Sequence, residues 1–262
     1  MRIGYNTRVD YFWTFLFFAI GACMGSFLNV IADRLPQGKS IVSPPSHCED
    51  CQRPLSVDDN IPIFSYLWLR GRCRYCHAAI PQRIFWVELS TAVLFAFLYW
   101  KYGFGYFLPV MLVYGCIFIL LTVIDLEHGL LPNKIVYPAI AIAFAVAVAS
   151  QLLHLPLLPD LKSAAIAGAI GFVFLLIPAL ISRGMGWGDV KLAAFIGLAT
   201  GFPLVLLALF IGIVSGGLVA SILLLLKIKG RKDAIPFGPF LSLGTLLTLL
   251  WGNNILAWLG FA

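Results

Sequence analysis

The chain has 262 residues, of which 61% are hydrophobic and only 11% charged, and its mean hydropathy is +0.94. A water-soluble domain carries about 25% charged residues, so this composition excludes an ordinary soluble enzyme and indicates a polytopic membrane protein. The net charge of +6 has no interleaved aromatic and basic pattern, so it points to topology and anionic lipid rather than to nucleic acid.

Apolar runs of about 17–25 residues read as membrane-crossing helices. In chain order they fall near 11–32, 84–100, 106–124, 135–155, 161–181, 189–201, 203–226 and 239–260, about eight in all. The expected fold is therefore all-α and polytopic. The runs 84–100 and 189–201 are at or below the usual minimum length. The first run passes Ile20-Gly-Ala-Cys23, a faint lipoprotein cleavage box. It continues to Ala32, longer than a signal core, and is better read as an uncleaved helix. Gly21 and Gly25 make a small-xxx-small pair suited to helix packing.

Charge sets the orientation. With the N-terminus outside, only Arg2, Arg8, Lys101 and Lys162 of the 18 basic residues fall on the outer side. The inner side holds Arg34, Lys39, Arg53, Arg70, Arg72, Arg74, Arg83, Lys134, Arg183, Lys191, Lys227, Lys229, Arg231 and Lys232. That bias follows the positive-inside rule. It also requires a break at Gly201-Phe-Pro203, since an unbroken 189–226 would be far too long and would send Lys227–Lys232 outside.

Residues 33–83 differ from the rest, being rich in Pro, Arg and Asp with short apolar stretches such as Ile61-Pro-Ile-Phe-Ser-Tyr. They read as a small, loop-rich insert with two or three short strands, too small to hold together without a staple. Cys48-Glu-Asp-Cys51 and Cys73-Arg-Tyr-Cys76 supply one. Two CxxC knuckles at this spacing suit a structural, four-cysteine Zn2+ site, and the cytoplasmic assignment favours thiolates over disulfides. A thioredoxin-like redox pair and unliganded thiols are the competing readings. His47 and His77 flank the knuckles as solvated neighbours, and Cys23 and Cys116, inside spans, read as packing residues.

Two aspartates lie at the ends of apolar runs: Asp125 in Leu121-Thr-Val-Ile-Asp125, and Asp189 in Gly184-Met-Gly-Trp-Gly-Asp189. Ionisable groups near hydrocarbon are expensive and usually functional. Asp125 ends the third span and two crossings intervene before Asp189, so both belong on the cytoplasmic side. Two close carboxyls share a proton, which provides a general base for water and a general acid for an amide carbonyl. That is the chemistry of an aspartyl protease. Gly184, Gly186 and Gly188 allow close backbone approach and unusual dihedrals before the helix. The alternative is a structural ion pair or ion path, with Lys191 or Lys134 as neutralising partner. Glu88, inside the second span, is a further acid: a third site residue, a capped packing residue or a contact for a basic substrate.

Taken together, several motifs resemble one family over essentially the whole chain: Gly25-Ser-Phe-Leu-Asn-Val30 with Arg34-Leu-Pro36, Pro44-Pro-Ser-His-Cys48, both knuckles, and Asp59-Asn-Ile-Pro-Ile-Phe-Ser-Tyr-Leu67 with Arg70-Gly-Arg-Cys73. Asp125 with Leu131-Pro-Asn133, and Gly186-Trp-Gly-Asp189-Val-Lys191, complete the pattern. The chain resembles the type IV prepilin peptidases, bifunctional membrane enzymes of type IV pilus and type II secretion systems. Asn133 is a departure, since many relatives have aspartate there. The resemblance implies a GxGD-type aspartyl protease with Asp125 and Asp189 as catalytic pair. It implies prepilin or pseudopilin substrates with short basic leaders, cleaved on the cytoplasmic face of the bacterial inner membrane. It also implies N-methylation of the new terminus with S-adenosylmethionine, because members with the cysteine-bearing insert generally have that activity. The expected organisation is a first helix over 1–32, a zinc-binding and methyl-transfer insert over 33–83, and a multi-helix protease domain over 84–262. A peptidase without methyl transfer, and a non-enzymatic transporter or scaffold, are the rival readings.

Overall fold

The computed structural model describes residues 7–181, 186–228, 230 and 235–260. Arg2, Arg183, Gly184, Lys229, Arg231 and Lys232 of the sequence reading lie outside the described residues. The chain forms α1 (Thr7–Arg34), a 3-10 turn at Asp58–Asn60, α2 (Phe64–Trp68), α3 (Gln82–Tyr102), α4 (Phe107–His128) and α5 (Asn133–Leu153). It continues as α6 (Leu161–Ile181), α7 (Trp187–Thr200), α8 (Leu204–Leu225) and α9 (Gly238–Trp258). Among the described residues seven helices (α1, α3, α4, α5, α6, α8 and α9) are long and apolar enough to cross a membrane. Seven such helices are the make-up of a multi-pass membrane protein.

The sixth expected span, α7, has 14 residues, about 21 Å of rise. Its environment explains its shortness. α7 packs against α5, α6, α8 and α9, and Val190, Leu192, Ala193, Phe195, Ile196, Gly197, Ala199 and Thr200 are buried. A helix enclosed by others need not match the hydrocarbon thickness, and one apolar on every face belongs in such a place. Neither Gly171 of α6 nor Gly197 of α7 has room for a Cβ: the first faces the Ala193 carbonyl, the second that of Ala167. The break before α8 falls at Gly201, which has φ +73°.

The chain divides into two compact units, residues 1–120 and 121–262, with the boundary inside α4. In the first, α1 packs on α3. Gly21 and Gly25 are the reason they can: an added Cβ would come within 2.7 Å of the Thr91 carbonyl oxygen and 2.6 Å of Glu88 Cα, respectively. Cys23 faces outward rather than into the packing, whereas Cys116 is partly buried. The insert departs from the strands expected of it. Among the described residues there are only two isolated bridges, His47 with Pro54 and Arg72 with Ala79. Each bridge closes one cysteine knuckle, and the ladder could extend only outward, towards the pairs 45/56 and 70/81, where Pro45 and Pro81 disfavour a strand.

Candidate active site and metal centre

In the second unit, the end of α4 and the starts of α5, α7 and α9 supply one constellation. Asp125, in the last turn of α4, is 5% exposed. Its Oδ2 accepts the backbone N–H of Gly238 at 2.8 Å, from the first residue of α9. A free N–H at a helix start needs a partner, and an acidic side chain is a good one. Glycine at 238 leaves the carboxyl where it is, because a Cβ there would lie 2.7 Å from Oδ2 and 3.3 Å from Leu131 Cδ2 and would push the Asp125 side chain aside. The sequence reading did not single out Gly238. Its signal is Phe237-Gly238-Pro239, with proline at a helix start.

Asp189 is the third residue of α7 and half-buried. Its N–H closes a turn on the Gly186 carbonyl at 3.1 Å. Gly186 has φ −75°, a conformation any residue adopts, so unusual dihedrals are not its contribution. Gly188 acts by close approach, since a Cβ would lie 2.8 Å from Leu131 Cβ. Leu131 thus sits against the starts of both α7 and α9. Asp125 and Asp189 lie within electrostatic reach of each other. The structure therefore brings the two acids together. Lys191 is not their neutralising partner: its ammonium donates to Asn133 Oδ1 at 2.8 Å and lies 5.2 Å from the Tyr137 ring centroid. Among the described residues neither aspartate forms an ion pair.

In the first unit, Sγ atoms of Cys48, Cys51, Cys73 and Cys76 all lie within 4.8 Å of one another. The two knuckles are built alike. The N–H of Cys48 donates to the Arg53 carbonyl and that of Gln52 to Cys48; the N–H of Cys73 donates to Ala78 and that of His77 to Cys73. Gln52 and His77, each following the second cysteine, both take positive φ, 57° and 58°. The backbone N–H groups of Cys76 and Tyr75 draw the Cys73 thiol down to about 7, whereas at Cys76 the Ala78 N–H is outweighed by burial and the three neighbouring sulfurs, which push it up. Zn–S bonds of about 2.3 Å in a tetrahedron hold sulfurs about 3.8 Å apart, and Cys48 and Cys76 are separated by 3.8 Å. The donor set and spacing fit a tetrahedral four-thiolate ion, and all four cysteines are free of disulfides. His47 turns its Nδ1 to the Pro45 carbonyl at 3.1 Å, and His77 is exposed.

Glu88 is a buried acid, 4% exposed. Its Oε2 accepts the Ile63 N–H at 2.7 Å, so it is a capped packing residue that ties the insert to α3.

Residues 19–102 match the family model for the bacterial peptidase A24 N-terminal domain, and residues 112–221 match that of the type IV leader peptidase family. A prepilin leader peptidase/N-methyltransferase from Pseudomonas aeruginosa is 32% identical, covering 90% of this chain and 89% of the relative. One of the same name from Bacillus subtilis is 33% identical, covering 92% of this chain and 96% of the relative. The chain belongs to the type IV leader peptidase family. Both of that family's sequence regions fall on the features above, the N-terminal match on the cysteine knuckles and the second match on both aspartates. No solved structure matches the chain.

Proposed function

We propose that this chain removes the leader of type IV prepilins or pseudopilins and N-methylates the terminus it exposes. Support comes from family membership and from relatives of that name over nine-tenths of the chain. The observation that supports the protease half is that Asp125 and Asp189, 64 positions apart, lie within electrostatic reach of each other, with Leu131 packed against both Gly188 and Gly238 beside them. One carboxylate takes a proton from water as the hydroxide oxygen bonds to the scissile carbonyl carbon. The other, protonated, hydrogen-bonds the carbonyl oxygen. The tetrahedral adduct collapses with cleavage of the C–N bond, and the departing nitrogen takes the proton that the first carboxylate received from water. The Gly238 N–H fixes the orientation of Asp125 for this exchange. The charge bias supports a cytoplasmic position for the site and the insert, and the family's substrates fit the inner membrane. A substrate with a short basic leader and an apolar helix would there present its scissile bond at the lipid surface.

Cys48, Cys51, Cys73 and Cys76 would hold a structural zinc ion that staples residues 33–83. When bound, S-adenosylmethionine supplies the methyl group, and residues 33–83 form at least part of its site. Residues 84–262 form the protease domain, preceded by the first helix over 1–32. The test is an in vitro reaction of the purified chain with a prepilin and a labelled methyl donor. Leader removal with label on the new N-terminus supports both halves; leader removal without label retains the peptidase alone.

A further inference from the structure

The segment Ile61–Trp68 holds the insert's most apolar stretch, and its side chains divide into two sets. Ile63 is buried in a cluster with Ala22 of α1 and Ala92 of α3, flanked by Phe18, Phe85 and Leu89. Its N–H donates to Glu88, six residues into α3, which is about 9 Å of helix rise. Gln82 and Arg83 mark the polar end of that helix, where Arg83 pairs with Asp33 at 2.6 Å. The loop therefore returns past the polar end to lie beside helical residues that belong to membrane-crossing segments. Asn60 and Pro62 likewise line a hollow of about 270 Å³ with Cys23, Ser26, Phe27 and Val30 of α1. Irregular backbone at such a level requires satisfied polar groups, and Glu88 satisfies the Ile63 N–H.

The second set faces outward. Phe64 is 68% exposed, Leu67 57% and Trp68 84%, and their i, i+3, i+4 spacing puts them on one face of α2. Tyr66, on another face, packs on the Phe85 ring at 5.3 Å, and Phe85 in turn contacts Trp86, an exposed residue of α3. Tyr66 thus fastens α2 to a spanning helix beside the outward-facing Trp86, while Phe64, Leu67 and Trp68 stay uncovered on the other face, around a hollow of about 400 Å³. An apolar patch of this kind facing water is unusual. At the boundary of headgroups and acyl chains it is the expected chemistry, Trp above all. Arg70 and Arg72, exposed just beyond, suit anionic headgroups.

We propose that Ile61–Trp68 is a membrane-dipping segment, pinned by Ile63 and Glu88, that presents Phe64, Leu67 and Trp68 to lipid. The occupant of this face is the bilayer itself, and the insert is held against the surface at this point as well as at its two ends.

The full-length protein, reconstituted in phosphatidylcholine/phosphatidylglycerol vesicles, tests this. The chain has seven tryptophans, so the emission of Trp68 is read as the difference between wild type and Trp68→Phe. With acyl chains brominated near the headgroup, that difference emission should lose most of its intensity, while aqueous iodide should leave it unchanged. A Phe64→Trp variant gives a second reporter on the same face and should behave alike. Quenching by iodide and not by brominated lipid overturns the proposal. So does shielding that arises only when a prepilin is added, which would make the face a substrate groove.

Discussion

Gly238 donates its backbone N–H to Asp125 Oδ2 at 2.8 Å, across 113 positions of chain. The bond joins the end of α4 to the start of α9 and aims one of the two acids. A side chain at position 238 would collide with the oxygen it serves.

Gly238→Ala should therefore impair leader cleavage without preventing insertion. Overpacking of this kind costs about 1–3 kcal/mol, and if expressed in the transition state that is on the order of 10- to 100-fold in kcat/KM. Steady-state cleavage of a prepilin, with helix content measured by circular dichroism, checks it. Unchanged kcat/KM in a normally folded variant would show that cleavage does not depend on the space glycine leaves beside Asp125.

Replacing Glu88 should loosen the insert. Glu88→Leu leaves the buried Ile63 N–H unpaired, a loss of about 1–3 kcal/mol, whereas Glu88→Gln keeps an acceptor. Hydrogen exchange at Ile63 should quicken strongly in the leucine variant and little in the glutamine variant.

The four cysteines should bind one zinc ion per chain. Cys51→Ser or a chelator should remove it, abolish methyl transfer, and leave most leader cleavage intact, because both aspartates belong to the other unit. Metal analysis of the native protein, alongside the two activities, decides this; absence of zinc would remove the staple.

The second knuckle is tethered to the 3-10 turn by Arg74 and Asp59, 2.8 Å apart. Burial pushes the Asp59 carboxyl up, but the Ser56 hydroxyl and Arg74 outweigh it and hold it below its usual range. The sign follows: a lowered folded value means the tether is present above the ordinary aspartate range, about 3.9, and is lost only as pH falls through the lower folded value. Hydrogen exchange over 56–60 should be slow at neutral pH in the native chain, and already faster in Asp59→Asn.

Much of this was legible in the sequence because long apolar runs and paired cysteines are local signals. The Gly201 break, and an Asp125 near enough to Asp189 to act on its charge, are what counting crossings leads one to expect. What escaped is non-local or negative. Nothing near Asp125 announces Gly238, and nothing near Glu88 announces Ile63, since each pair is joined only by folding. Among the described residues the insert's two bridges never grow into strands, because Pro45 and Pro81 stand where each ladder would continue. The burial of α7 on all sides, which excuses its length, depends on four neighbours that no local window contains. Lys191, close in sequence to Asp189, went instead to Asn133.

The most direct measurement is the mass of a prepilin after incubation with Asp125→Asn or Asp189→Asn, each inserted at the native level. Both variants should leave the precursor at full mass under conditions where the native chain removes the leader completely. Complete leader removal by either variant would contradict the assignment of the two aspartates as the catalytic pair.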